Sequence, residues 1–243
     1  MKLFYEQNKL KDYQRDLDNE IKILELLSYN KNSVNYLGNY DKINEKIIVM
    51  EKCDNNLKEF IKKRRKGLTT KEIKDKFKKL NMLFEDIQEK KIIHRDLKLE
   101  NFFIKYKNKE KTDYLIKLGD YGIGKFRDVS FPNSSFSGLK GSIETVAPEI
   151  ILEKKTSYDS IEDIYSLGII LYQIANNLKH PYGENSFKLV ITYNNNYEND
   201  DFKIEFDEEI QDNDFKDLIY KMIKLNPKNR LNWDEYFSHK YFK

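Results

Sequence analysis

Cysteine is nearly absent. Cys53 is the only one in 243 residues, so no disulfide forms within the chain and a reducing compartment is the simpler expectation. Long apolar runs are missing too. The stretch Leu167 to Tyr172 falls far short of the ~20 residues that span a bilayer. Near the N-terminus Glu6, Gln7, Asn8 and Lys9 interrupt any secretory signal core. No charge sign dominates: 44 basic residues against 41 acidic leave a net charge of +3. That gives no electrostatic footprint for nucleic acid or an anionic membrane. These absences lead us to expect a cytoplasmic protein, with the nucleus as the alternative location and with no nucleic-acid or membrane partner. They leave the oligomeric state open.

What is present argues for a folded chain. Aromatics make up 14% of it, with 17 Tyr and 15 Phe, enough to build a core despite the high charge content. Tyr13, Leu17, Ile21, Leu24 and Leu27 fall at helical spacing over Lys11–Tyr29. Val34–Tyr40 and Ile47–Met50 read as short strands around a polar turn, Asp41–Lys46. The polar segment 51–56 breaks the pattern and reads as a linker. Beyond it the chain is mainly helical: Thr69 and Glu72 form a capping-box pattern ahead of the apolar series Ile73, Phe77, Leu80, Phe84 and Ile87. Two more helices are predicted near Ser160–Asn176 and Phe215–Leu225. Asparagine-rich Tyr193–Asp200 reads as a surface loop. The basic run Lys62–Lys66 closes a short helix begun at Leu57, where cations interact favourably with the helix C-terminus; a nuclear signal or an acidic-partner patch is the alternative reading.

One octapeptide carries chemistry. His94-Arg95-Asp96-Leu97-Lys98-Leu99-Glu100-Asn101 is a polar loop between Ile92-Ile93 and Phe102-Phe103-Ile104. Asp96 and Lys98, two apart, face the same side of an extended loop and place a proton acceptor beside a cation. Asn101 offers an amide oxygen of the kind Mg²⁺ accepts. The run resembles the catalytic loop of protein kinases, in which the Asp is the base and the Asn a metal ligand. Further resemblances follow in family order. Lys117-Leu118-Gly119-Asp120-Tyr121-Gly122 looks like the strand leading into the Asp-Phe-Gly metal motif, with Tyr121 in the Phe place. That implies a Mg²⁺-binding Asp120 and a turn permitted by Gly122. Ala147-Pro148-Glu149 matches the Ala-Pro-Glu motif, and Arg230 stands where the family keeps the buried partner of that glutamate. Asp163-Ile164-Tyr165-Ser166-Leu167-Gly168 resembles the start of the central helix, implying that Asp163 holds the catalytic-loop backbone.

The first part of the chain fits the same family. Glu20 looks like the αC glutamate that pairs with a strand lysine. Leu24, Tyr36, His94 and Tyr121 would stack as an apolar column. Met50 takes the gatekeeper place, and the Glu51 carbonyl and Cys53 backbone would meet the adenine edge, with Phe103 beside the nucleotide. The glycine-rich loop that covers the phosphates is not found. Lys2, 18 residues before Glu20, reads as the tail of the lysine-bearing strand, with the first two strands expected upstream.

The resemblance thus implies an α+β, bilobal, protein-kinase-like fold: residues 1–50 a partial small lobe, 51–56 a hinge, and 57–243 a complete helical lobe. The implied activity is serine/threonine phosphotransfer from ATP with Mg²⁺ to a protein substrate. Lys98 favours the Ser/Thr class, and Ser142 sits where such kinases keep a hydroxyl near the base. Arg95 implies a phosphorylated activation segment, with Ser137 the best-placed acceptor. The alternatives are a truncated kinase or pseudokinase used as a binding scaffold, and a small-molecule phosphotransferase of similar fold.

Overall fold

The chain opens with one long helix. α1 spans Lys2–Leu27, and Ile23, Leu24 and Leu27 on its inner side are fully buried. A computed structural model describes residues 2–42, 45–126, 144–154, 159–183, 185–198 and 202–243. The periodicity over Lys11–Tyr29 predicts this helix, but the structure carries it back to Lys2, and that corrects the strand expected there. Eighteen residues of helix at 1.5 Å each set the Lys2 backbone about 27 Å from that of Glu20. That distance is several lysine side-chain lengths, so Lys2 does not pair with Glu20.

β1 (Tyr36–Lys42) and β2 (Glu45–Met50) pair antiparallel, with Tyr40 opposite Ile47. The pairing runs on to Lys42 and Glu45, so the turn is shorter than expected. The register slips between Tyr36 and Gly38; Gly38 has φ +143, which only glycine adopts without strain. The polar linker then enters β3 (Asn55–Asn56). Asn56 caps α2 (Leu57–Arg64) by accepting from the Glu59 amide.

α3 (Thr70–Glu89) begins at the predicted capping box, Thr69 and Glu72, and buries Ile73, Phe77, Leu80, Phe84 and Ile87 along one face. Glu72 also takes a bidentate pair of bonds from Arg64 at 3.0 and 3.2 Å, so the end of α2 is fastened to the start of α3. Next come β4 (Ile92–Ile93), β5 (Phe102–Tyr106), β6 (Tyr114–Leu118) and β7 (Lys125–Phe126). β3, β5 and β6 form one antiparallel sheet and β4 pairs with β7, so both ends of the octapeptide are anchored in strands.

The remaining elements are α4 (Pro148–Ile151), α5 (Ser160–Ala175), α6 (Ser186–Asn196), α7 (Asn213–Met222) and α8 (Trp233–Phe237). α5 is apolar on nearly every side and buried throughout Ile164–Ala175, as befits a helix packed on all faces. A Cβ at Gly168 would stand 2.6 Å from the Ile223 side chain, so glycine is what lets α5 approach the end of α7. The asparagine-rich segment departs from expectation, because α6 runs through Tyr193 to Asn196. Tyr193 is fully buried and bonds the Tyr165 hydroxyl at 2.7 Å; burial of that ring outweighs the weak helix propensity of asparagine. The whole is an α+β fold around one continuous core. Among the described residues no helix is long and apolar enough to cross a membrane.

Candidate active site

The octapeptide loop is held from below by the first turn of α5. Asp163 accepts the amides of His94 at 2.7 Å and Arg95 at 2.9 Å, one on each oxygen. Arg95 sits in the left-handed region, φ 69, which lets two consecutive amides converge on one carboxylate. A non-glycine residue there costs about 1–2 kcal/mol, tolerated because the packed helix over-determines it. Burial dominates the Asp163 carboxyl and raises it to about 7, although both amides and Arg95 oppose the shift.

His94 is buried and neutral, its pKa lowered to about 4 by desolvation. Its Nε2 lies 3.2 Å from the Gly119 carbonyl and its Nδ1 accepts from the Asp96 amide at 3.4 Å. That pattern assigns the proton to Nε2. The ring packs on Tyr121 with centroids 5.0 Å apart. Leu24 is buried in the same core, and Tyr36 packs against it half-buried.

Asp96 is poised by its neighbours. Its Oδ2 accepts from Lys98 Nζ at 2.5 Å and Asn101 Nδ2 at 3.1 Å, while Asn101 Nδ2 also donates to the Asp96 carbonyl at 2.8 Å. Its Oδ1 is buried with no hydrogen-bond partner among the described residues. Leaving such an acceptor unmet costs about 1–3 kcal/mol, so the site is organised to receive a donor there. With its nitrogen spent on Asp96, Asn101 presents its amide oxygen as the remaining acceptor.

Asp120 follows β6 with φ 61 and an exposed side chain. The strained residue of the turn is therefore Asp120, where Gly122 was expected. A Cβ on Gly122 would meet Asp120 Oδ1 at 3.4 Å and Glu20 Oε2 at 3.5 Å, ordinary contacts. Gly119 is the glycine that sterics demand, since a Cβ there would reach Val34 Cγ2 at 2.7 Å. Both carboxylates thus flank Gly122, and no cation pairs with Glu20 among the described residues.

Desolvation, with the charge of Asp120, raises the Glu20 carboxyl to about 7. As pH rises from about 4.5 to 7 the unfolded chain loses this proton while the folded one keeps it, so Glu20 lowers stability across that window. Glu20→Gln is expected to be more stable than the parent by about 1–2 kcal/mol at pH 8, after discounting for solvent screening of a half-exposed group. The gain should vanish at pH 4. Thermal unfolding at the two pH values checks it, and a gain of equal size at both would contradict the raised carboxyl.

At the linker, the Met50 side chain is exposed. Glu51 turns its carboxylate to Lys117 Nζ at 2.6 Å and accepts the Asn35 amide at 2.9 Å. Burial acts to raise this carboxyl, but the bonds and charge of Lys117 outweigh it and hold it low. No hydrogen bond reaches the Glu51 carbonyl or the Cys53 amide among the described residues, so both remain available to a planar ligand edge. Burial pushes the Cys53 thiol up, which argues against a nucleophilic role. Phe103 lies half-buried in β5 opposite Lys117 and Asn56. Ser137 and Ser142 fall outside the described residues.

Glu149 in α4 and Arg230 form a bidentate ion pair at 2.8 and 2.9 Å, with both side chains buried. A feature that sequence reasoning missed lies beside the octapeptide. Lys58 of α2 pairs with Glu100 at 2.6 Å, next to a pocket that Lys98 also lines. Glu100 lies inside the octapeptide, but nothing in its spacing points to a partner 42 residues away.

The chain matches the protein kinase domain family over residues 1–242. It is 30% identical to the serine/threonine-protein kinase atg1 of Dictyostelium discoideum over 234 residues, covering 93% of this chain and 32% of that protein. It is 31% identical to the probable serine/threonine-protein kinase nek3 of the same organism, covering 88% and 18%. A putative serine/threonine-protein kinase of Acanthamoeba polyphaga mimivirus, R517/R518, is 30% identical, covering 93% and 52%. The chain therefore spans about half the length of these relatives or less. This family generally uses ATP and Mg²⁺ and acts on protein substrates. The chain belongs to the protein kinase domain family.

Proposed function

We propose that this chain transfers the γ-phosphoryl group of ATP to a serine or threonine hydroxyl of a protein. The observation that carries the reading is the buried Oδ1 of Asp96, without a hydrogen-bond partner among the described residues, beside an Oδ2 already held by Lys98 and Asn101. A substrate hydroxyl donating to Oδ1 is oriented for attack, and its proton passes to the carboxylate as the phosphorus–oxygen bond forms. Lys98, fixed at 2.5 Å from Asp96, places positive charge beside the transferring group.

The donor set fits a hard cation: Asn101 and Asp120 offer oxygens of the kind Mg²⁺ takes. When bound, Mg²⁺ neutralises phosphate charge. The Glu51 carbonyl and Cys53 amide would take the adenine edge, with Met50 and Phe103 beside it. The names of the relatives support the serine/threonine class, as does Lys98 two residues after the base.

Two measurements on the purified chain test this. Mg-ATP should raise the melting temperature, with the rise lost in Asp120→Asn. Mass spectrometry should find new phosphate on Ser or Thr of an added acceptor protein. A chain that neither shifts nor transfers phosphate would overturn the proposal.

A further inference from the structure

The pocket beside the catalytic loop has a volume of about 360 Å³, at the lower end of the range that takes ligands. Lys98 forms part of its wall, so an occupant lies next to the atoms that would meet the phosphoacceptor. Lys58 and Lys62, four apart on one face of α2, line it too. Leu189 of α6 supplies an apolar side, and Glu100 and Glu144 complete the charged lining.

The charge balance decides what this pocket takes. A cationic side chain would look to Glu100, but Lys58 already holds that carboxylate at 2.6 Å. Glu144 is exposed and adds to the field at Lys58, so that lysine answers both acids. Among the described residues Lys62 pairs with Glu59 alone, an exposed i,i+3 pair at 2.9 Å with the two side chains 51% and 45% accessible, a weak tie that an incoming anion displaces. The helix that carries these lysines is basic as a whole. Residues 57–66 carry six basic side chains and one acidic, and of these Arg64 is consumed by Glu72, while Lys63, Arg65 and Lys66 stand exposed.

We infer that this pocket is a substrate subsite for an anionic side chain flanking the phosphoacceptor, read by Lys62 and made anion-selective by the Lys58–Glu100 pair. The inference rests on the phosphotransfer reading and adds a substrate class to it: acidic protein segments. Lys58 and Lys62 act here as specificity residues and take no part in the chemistry.

The test uses serine-centred peptides carrying Asp, phosphoserine, Ala or Arg at each flanking position, compared by kcat/KM. The same series with alanine at the centre is compared by fluorescence anisotropy, so that binding is read without turnover. Asp should be favoured over Arg at one or more positions by about 5-fold or more, as a partly exposed charge contact gives. An equal or larger gain for phosphoserine would assign the anion to a prior phosphorylation. Lys62→Glu should remove the preference. Lys58→Ala should release Glu100 and turn the preference toward Arg, a reversal that damage to folding does not produce. Indifference to charge, preference for Arg in the parent chain, or an unchanged preference in Lys58→Ala would each overturn the inference. Failure to phosphorylate any peptide would count against phosphotransfer, while the anisotropy series would still decide the pocket.

Discussion

Asp96→Asn is expected to lower turnover by about 10²–10⁴-fold, the range of general-base removal, equivalent to roughly 3–5 kcal/mol on the barrier. The substitution keeps shape and changes chemistry. An amide at position 96 retains one oxygen for Lys98 and Asn101, which now hold Oδ2 at 2.5 and 3.1 Å. In that pose it directs an NH₂ group toward the space where Oδ1 lies buried, with no partner among the described residues. A substrate hydroxyl would then face a donor where it needs an acceptor, and its proton has no place to go. ATP affinity should change little, because neither Asp120 nor the segment at Glu51–Cys53 is touched. The loop should stay in place, since His94 and Arg95 are fastened to Asp163 through their backbone amides. Turnover by the variant within a few-fold of the parent, at equal melting temperature, would remove Asp96 from the base role. Loss of Mg-ATP binding alongside turnover would show instead that the defect lies in the nucleotide site.

Much of this arrangement was legible in the residue order because it depends on local, motif-bound geometry. The octapeptide, the strand into Asp120 and the Asp163 helix start are short runs, and the structure brings their side chains to one loop. What stayed illegible depends on long-range packing. The Lys58–Glu100 pairing joins residues 42 apart, and no periodicity announces it. The strained turn falls at Asp120, although the family resemblance implies Gly122; a left-handed aspartate beside a glycine whose contacts are ordinary leaves no trace in the sequence. Lys2 reads as strand from its distance to Glu20, whereas the helix runs back beyond the periodic stretch to the chain's second residue. At Tyr193–Asn196 composition suggested a loop, but one buried tyrosine bonded to Tyr165 holds the segment in α6. At Lys58–Glu100 and at Tyr193, tertiary packing decided what propensity left open.

The second large effect concerns stability. Arg230→Leu is expected to cost about 3–5 kcal/mol, the usual result of stripping one partner from a buried ion pair. Arg230 bridges three parts of the molecule. It grips both oxygens of Glu149 in α4 at 2.8 and 2.9 Å and donates to the carbonyls of Ile161 and Lys224 at 3.0 to 3.1 Å. Its guanidinium also lies 4.9 Å from the centre of the Tyr165 ring. Leucine removes all of these and leaves the Glu149 carboxylate, 1% exposed, without a countercharge. Against a total stability of about 5–15 kcal/mol for a domain, the loss should depress the melting temperature by roughly 6–20 °C, at about 2–4 °C per kcal/mol for a chain of this size. The double variant Arg230→Leu, Glu149→Leu separates the causes. If the lone buried charge is the main penalty, the double variant recovers much of the loss, because two apolar side chains pack where two charges stood. If the missing bonds to Ile161 and Lys224 dominate, the double variant is as unstable as the single one, since those carbonyls stay unanswered in both. A single variant that melts within 2 °C of the parent would mean that Glu149 loses its charge or regains solvent once Arg230 is gone, and would remove the lone buried carboxylate as the penalty.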